Sequence, residues 1–171
     1  MTIEEYNIKW ESEFNKLQTF IKDVMEDSIL SIEHVGSTSI KGLAAKPILD
    51  IDIVIEDYEI FPKVVTKLEA IGYYHQAEWS CKGRDTFGRR DDFVPWDGEN
   101  TDWMEHHLYV CDKESEELRR HIAFRDYLRE HEDLAVEYGH LKEELARESK
   151  SRTSYSEGKT KFITNILEKI N

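Results

Sequence analysis

Two aspartates stand one residue apart inside an apolar run, in the segment "KPILDIDIVI". Side chains on a strand alternate between its two faces, so Asp50 and Asp52 share one face and the neighbouring isoleucines share the other. Two carboxylates roughly 7 Å apart on a partly buried face are costly, because burial and mutual repulsion both oppose ionisation. A divalent cation would remove that cost. The simpler alternative is a salt-bridged pair on an exposed sheet face.

A turn rich in small residues, "HVGSTSIKGL", precedes this strand. Gly36 permits a tight turn, and Ser37 can present its hydroxyl and N–H groups to an anion at the start of a short helix. An ordinary helix N-cap at Ser37 would explain the same pattern. The turn is not a P-loop, because Lys41 stands where that motif needs glycine. The turn and the aspartates together are typical of a site for a nucleotide and Mg²⁺, or Mn²⁺ in its place.

A later segment, "MEHHLYVC", predicts another strand. Alternation places Glu105, His107 and Tyr109 on one face of it. His107 is the candidate site residue there, as a metal ligand or a general base. A hydrogen-bonded structural histidine fits equally well.

Several basic residues are candidates for phosphate contact. Lys46 precedes a proline in extended chain, and Arg84 and Arg89 lie in a glycine-containing loop region. Lys159 lies on the apolar stripe of the last predicted helix, and Lys142 is its candidate companion. The alternatives are a solvated lysine at a strand edge, loop arginines without a ligand, and a lysine that snorkels from the core.

The segments that carry these residues predict an α+β fold with a small mixed sheet. Thr2 and Glu5 form a capping-box pattern, so the first helix is expected to begin at Thr2. Strands follow in "SILSIEHV" and "KPILDIDIVI", then a helix in "YEIFPKVVTKLEAIG", then short strands before "MEHHLYVC". A second capping box at Ser154 and Glu157 predicts the last helix. We expect a single domain over residues 1–171, with an α/β core in 1–112 and a helical part in 113–171.

Composition limits the function. The chain has 171 residues and a formal net charge of −13, which argues against a nucleic-acid backbone as its partner. No apolar run reaches the roughly 18 residues of a membrane span, so we expect a cytoplasmic protein without a membrane partner. Two isolated cysteines suit a reducing compartment.

The strand that ends in "GS" and the following "DID" resemble the DNA polymerase β-like nucleotidyltransferase superfamily. More closely, "HVGSTSIKGLAAKPILDIDIVI", "HHLYVC" and "HIAFRDYLREHEDLAVEYGHLKEELA" resemble the GrpB family of predicted nucleotidyltransferases, over nearly the whole chain. The resemblance implies that Ser37 contacts the terminal phosphates of a nucleoside triphosphate. It also implies that Asp50 and Asp52 hold two metal ions.

The superfamily usually adds a third carboxylate from a later strand, and this chain departs from that pattern: the site-facing candidate is His107, with Glu105 as the alternative nearer the strand edge. Three functions are therefore open. The first is an enzyme that moves a nucleotidyl group to a small molecule or a protein. The second is a non-catalytic sensor of nucleotide or metal, and the third is an interaction module whose acidic strand is structural.

Overall fold

The computed structural model describes residues 2–170 and shows a mixed α+β fold. The helices are α1 (Lys9–Met25), α2 (Phe61–Ala70), α3 (Glu116–Glu130), α4 (Glu132–Glu148) and α5 (Arg152–Ile170). The strands are β1 (Ser31–Val35), β2 (Leu49–Ile55), β3 (Tyr73–His75), β4 (Asp85–Arg89) and β5 (His106–Asp112). Three-residue 3₁₀ turns lie at Glu26–Ser28, Ser37–Ser39 and Ala77–Trp79. None of the helices within residues 2–170 is long and apolar enough to cross a membrane.

The strands form one sheet in the order β1-β2-β5-β4-β3. Strand β2 is antiparallel to β1 and parallel to β5, while β4 is antiparallel to both β5 and β3. The predicted α+β class, with a small mixed sheet flanked by helices, is therefore confirmed. The parallel pair at the centre brings the acidic strand beside the histidine-bearing strand.

One face of the sheet builds the main hydrophobic core. Ile51, Ile53 and Ile55 of β2 are fully buried there. They belong to a cluster that also holds the apolar stripe of α1 and the buried side of α2. The predicted alternation along β2 is confirmed, since Asp50 and Asp52 lie on the opposite face, which packs against α3.

The predicted start of the first helix at Thr2 is wrong, because α1 begins at Lys9. The preceding segment is extended, and Glu4 and Ala45 exchange two backbone hydrogen bonds of 2.9 Å. The side chain of Asn7 accepts a hydrogen bond from the N–H of Lys9 at 2.9 Å. Pairing with a distant residue therefore overrides the local capping-box pattern.

The predicted start of the last helix at Ser154 is also displaced. Helix α5 begins at Arg152, and Ser151 Oγ accepts the Ser154 N–H at 3.1 Å. The serine that caps the helix is the earlier one, so Ser154 and Glu157 lie within α5. The expected break in the helical pattern before this point is confirmed, since α4 ends at Glu148.

Helices α3, α4 and α5 pack around a second hydrophobic cluster. It contains two side chains from the segment between β1 and β2, Ile40 and Leu43, together with Phe124, Leu128, Ala135, Tyr138 and Ile166. The three C-terminal helices are thus fixed to the segment that follows the Gly-Ser turn. This contact leaves a cleft between the helices and the polar face of the sheet, where the candidate site lies.

Candidate functional site

The candidate site is centred on the polar face of β2 and β5. Their parallel register sets Asp50 opposite His107 and Asp52 opposite Tyr109. His107 Nδ1 lies 3.3 Å from Asp50 Oδ1, and this carboxylate raises the pKa of His107 above its ordinary value. The structure therefore brings His107 and Asp50 together, as the face analysis predicts.

Asp52 is completely buried, and both of its carboxylate oxygens face a nitrogen-bearing group. Arg84 Nη2 lies 3.4 Å from Oδ1, and His121 Nδ1 of α3 lies 3.2 Å from Oδ2. The guanidinium carbon of Arg84 lies 3.4 Å from the centre of the Tyr109 ring, in a cation–π contact. Charge on Asp52 is thus balanced by side chains of the protein itself.

The Gly-Ser turn lies directly against the other aspartate. Gly36 has φ +73°, and a Cβ atom built on it would lie 2.4 Å from Asp50 Oδ2. The 3₁₀ turn that begins at Ser37 is supported from behind by Arg129, whose Nε and Nη2 donate to Ser39 O at 3.0 and 2.8 Å. Glycine is required at position 36 by both the backbone angle and the space.

Three lysines converge on the same place. Lys46, Lys142 and Lys159 line a cavity of about 270 Å³ together with Ser37 and Asp50, and His107 and Tyr155 complete its wall. Lys142 is only 2% exposed, and its burial, reinforced by the charge of Lys159, lowers its pKa to about 7. The pKa of Lys159 is also lowered, first by burial and then by Lys46. The lowered pKa values of Lys142 and Lys159 show that positive charge is poorly compensated in this cavity, which favours the binding of an anion.

Two of these lysines, Lys46 and Lys159, contact the ring of Tyr155. Lys46 Nζ lies 5.1 Å and Lys159 Nζ 4.7 Å from its centre. Both distances fall in the range of cation–π contacts, which hold ammonium groups without neutralising them. The two ammonium groups therefore remain available to a ligand.

An adjoining cavity of about 450 Å³ extends the site toward α3 and α5. It is lined by Gly36, Ser37, Asp50, Arg84 and Lys159, among others. Asp50, Ser37 and Lys159 line both cavities. The structure thus gathers most of the residues predicted from the sequence in one cleft, and it places Asp50 at the centre of them.

Two predicted residues line neither of these cavities: Asp52, which is fully buried, and Arg89. Arg89 makes its contacts elsewhere. Its Nε donates to Val94 O at 3.0 Å and its Nη2 donates to Asp92 O at 2.8 Å. It lines a neighbouring groove on the β4 side of His107, whose wall also includes Arg84 and Tyr109. The guanidinium of Arg89 stabilises the loop that contains Asp92 and Val94, and we do not propose it as a phosphate contact.

The resemblance implies a Mg²⁺ ion, and the side chains of the cleft fit one only in part. Within residues 2–170, no three His, Cys, Asp or Glu side chains are grouped so that the protein alone could hold a metal. Mg²⁺ needs less than that, because it keeps water molecules and takes oxygens from phosphate groups beside one or two carboxylates. Asp50, one-third exposed and adjacent to the lysine cavity, fits a Mg²⁺ ion that arrives with a nucleotide.

Some residues of the cleft were not selected from the sequence. His121 and Tyr109 lie beside Asp52, and Tyr138 and Tyr155 line the cavities. Tyr155 and Tyr138 stand on apolar helical stripes, where an aromatic residue usually signals core. From the sequence, His121 and Arg125, four residues apart on α3, could face the same cleft, but such a spacing is more typical of a surface pair. Only the packing of α3 on β2 shows that His121 reaches the site.

The fold is similar to that of a larger protein of known structure, Cid1. The chain is similar to the solved structure of Cid1 in complex with its short product ApU, with a TM-score of 0.55. The identity is 12%, and the match covers 82% of this chain and 40% of Cid1. Cid1 with MgGTP bound, described as a poly(U) polymerase, gives a TM-score of 0.53 at 15% identity over 82% of this chain and 42% of Cid1. At these identities the likeness concerns the fold alone.

This chain belongs to the GrpB family, whose model, described as GrpB protein, matches residues 1–169. The crystal structure of the conserved protein GrpB from Enterococcus faecalis gives a TM-score of 0.77 at 30% identity, and the match covers 99% of each chain.

Two relatives match nearly the whole of this chain. The glutamate-rich protein GrpB of Alkalihalophilus pseudofirmus is 31% identical over 94% of this chain and 90% of its own length. The UPF0157 protein YqkA of Bacillus subtilis is 35% identical over 95% of this chain, but the match spans only 45% of YqkA. The chain therefore covers about half the length of that relative.

Proposed function

We propose that this protein binds a nucleoside triphosphate with Mg²⁺ in the cleft and transfers its nucleotidyl group to an acceptor, either a small molecule or a protein. One observation carries the proposal. A single cleft on a nucleotidyltransferase-like fold combines the Ser37 turn, the Asp50 carboxylate and the lysine cluster of Lys46, Lys142 and Lys159. Fold likeness at this identity does not define a reaction, so the argument depends on the site.

The lysine cluster explains how a strongly acidic protein can hold a polyphosphate. The chain as a whole carries −13 and repels anions at a distance. Inside the cavity, by contrast, three lysine side chains face one partly exposed carboxylate, Asp50. Phosphate oxygens would relieve the repulsion between Lys142 and Lys159, and they would restore the protonated form of Lys142.

The proposed chemistry is attack of an acceptor hydroxyl oxygen on the α-phosphorus. A new P–O bond forms, the bond between the α-phosphorus and the bridging oxygen breaks, and pyrophosphate leaves with both electrons. His107, whose Nδ1 side faces Asp50, presents Nε2 as the candidate base for the hydroxyl proton. Mg²⁺, when bound, neutralises phosphate charge and orients the leaving group. The partly exposed carboxylate of Asp50 provides the negative charge that attracts it.

A second function, a non-catalytic nucleotide sensor, is favoured by a specific observation. Strand β5 presents His107 and Tyr109 opposite the two aspartates, so no carboxylate of β5 faces them in register. Arg84 also neutralises part of the charge on Asp52. A protein with this arrangement could keep the triphosphate pocket and lack the transfer step.

Thermal unfolding with ATP, GTP, CTP and UTP, each with and without Mg²⁺, tests the binding step. We expect a Mg²⁺-dependent rise in the melting temperature that Asp50→Asn and Lys159→Met abolish. Glu59→Gln, which removes an exposed carboxylate before α2, is the matched control and should keep the rise. Absence of stabilisation by all four nucleotides would contradict both functions. Pyrophosphate release in the presence of acceptors then separates the enzyme from the sensor.

A further inference from the structure

The two aspartates of the acidic strand differ in what surrounds them. Asp50 is one-third exposed and lines both cavities, whereas Asp52 is fully buried. The oxygens of Asp52 face Arg84 at 3.4 Å and His121 at 3.2 Å. A metal ion bound to Asp52 would have to displace Arg84 or His121 from its carboxylate. A metal ion bound to Asp50 would leave Arg84 in place.

Arg84 is held in place by its surroundings. Its backbone closes a tight turn, in which Cys81 and Arg84 exchange two hydrogen bonds of 3.0 Å and Gly83 has φ +83°. Its guanidinium lies 3.4 Å from the centre of the Tyr109 ring. The side chain is only 19% exposed. Rotation away from Asp52 would therefore break a cation–π contact as well as an ion pair.

The Nε–H group of Arg84 is buried and has no hydrogen-bond partner in the part of the chain that the structure describes. It is the one buried side-chain nitrogen or oxygen without a hydrogen-bond partner among residues 2–170. Arginine keeps its charge at every physiological pH, so this position carries a permanent positive charge and an unused donor. The residue lines the cavity that also contains Asp50, Ser37 and Lys159.

We infer that Arg84 takes, as a fixed cation, the place of a second metal ion at Asp52, so that the nucleotide complex carries one divalent ion, beside Asp50. This inference rests on the proposed function and specifies its metal requirement. A divalent ion beside Asp52 would be repelled by the guanidinium and would find both carboxylate oxygens engaged. Arg84 itself supplies the positive charge next to the phosphates. This makes it a positioning residue for Asp52 and a candidate contact for the ligand.

The test counts metal ions instead of turnover. Mn²⁺ replaces Mg²⁺, the ligand is the α,β-methylene analogue of ATP, and the protein is in excess over the analogue so that nearly all analogue is bound. Electron paramagnetic resonance of free Mn²⁺ gives the number bound per analogue. We expect one Mn²⁺ in the wild type and two in Arg84→Ala. Spin–spin coupling between the two ions should appear only in the variant.

Three further variants make the result specific. Arg84→Gln keeps much of the packing on Tyr109 and should also bind two ions, which covers the case in which Arg84→Ala folds poorly. Arg120→Ala removes an arginine that lines the same cavity but pairs with Glu117, and it should still bind one. Asp52→Asn combined with Arg84→Gln should return the count to one.

The possible failures are distinguishable. Two Mn²⁺ ions in the wild type would overturn the inference and leave the proposed function standing. A count of one in both Arg84 variants would also overturn it, because Arg84 would then not limit the count. A wild type that binds the analogue without Mn²⁺ would overturn the inference together with the metal requirement of the proposed function. A wild type that does not bind the analogue at all would overturn the proposed function.

Discussion

The carboxylate of Asp50 occupies the space that a side chain at position 36 would need. A Cβ atom on Gly36 would lie 2.4 Å from Asp50 Oδ2, well inside contact distance. The end of β1 and the start of β2 therefore approach each other across a gap that only glycine leaves open. This approach sets the turn at Gly36 and Ser37 beside the partly exposed carboxylate of Asp50.

The first prediction follows from that approach. Gly36→Ala should lower the free energy of unfolding by about 2 kcal/mol more than Gly42→Ala and should abolish stabilisation by a nucleotide with Mg²⁺. Both glycines have positive φ, but a Cβ on Gly42 meets nothing within 4 Å. The pair therefore separates backbone strain from the clash with Asp50. Urea unfolding measures the difference, and equal losses in the two variants would contradict the argument.

The buried pair of Asp52 and Arg84 gives a second prediction. Asp52→Asn should destabilise the fold by about 3 kcal/mol, because it leaves a buried guanidinium without its counter-charge. The double variant with Arg84→Gln should be more stable than the sum of the single losses predicts, by about 1 kcal/mol or more. A urea double-mutant cycle measures this coupling. The same cycle on the exposed pair Lys113 and Glu56 should show a smaller coupling, and equal couplings would count against the buried pair.

Lys142 gives a third prediction, on pH. Its pKa is lowered from 10.5 to about 7, so between these values the unfolded chain binds a proton that the folded protein does not. Stability should therefore rise with pH across this window, and the cost of burying the charge is fully present below pH 7. Lys142→Met should remove this dependence.

The gain in stability from Lys142→Met should thus be larger at pH 6 than at pH 9, by on the order of 2 kcal/mol. Lys63→Met, at an exposed position on α2, serves as the control and should show no such difference. Urea unfolding at the two pH values measures both variants. A gain independent of pH would show that Lys142 is charged in the folded protein throughout this range.

His106 gives a fourth prediction, with an acid window. Its Nε2 lies 2.7 Å from the Tyr73 hydroxyl and its Nδ1 lies 2.7 Å from Met104 O. Burial lowers its pKa from 6.5 to about 4, so the unfolded chain binds the proton first as the pH falls. The stability that His106 contributes is present above pH 6.5 and is lost as the pH falls toward 4.

Between pH 7 and pH 5, His106→Gln should therefore lose less stability than the wild type, by about 2 kcal/mol. His140→Gln, at an exposed position on α4, should behave like the wild type. Guanidinium chloride unfolding at the two pH values measures the difference. An unchanged pH dependence in His106→Gln would contradict the prediction, because it would show that folding does not shift the pKa of this histidine.

The alternation along β2 and β5 could be predicted from the sequence because it is local. A period of two decides which face Asp50 and His107 occupy, whatever the neighbouring strand is. The register that sets these two residues opposite each other depends on the order of strands in the sheet, which no local pattern specifies. The family resemblance indicated only that a later strand contributes a residue to the site of the two aspartates.

Other features depended on contacts between distant residues. The predicted start at Thr2 failed because Glu4 pairs with Ala45, more than forty residues away. Arg84 was selected only as a loop arginine, and nothing in its neighbourhood shows that it reaches Asp52. Lys142 does carry a signal, since it lies four residues after Tyr138, which is itself buried on the stripe of α4.

The packing of Ile40 and Leu43 against the C-terminal helices has a mechanical consequence. These two side chains follow the Ser37 turn within six residues, so the helices cannot swing away from the sheet without pulling on that turn. If the helices moved away from the sheet and opened the cleft, Ser37 would be displaced at the same time. A movement that lets a nucleotide enter should therefore leave the contact of Ile40 and Leu43 with the helices intact. The entrance should lie on the other side of the cleft, where His107 is half exposed.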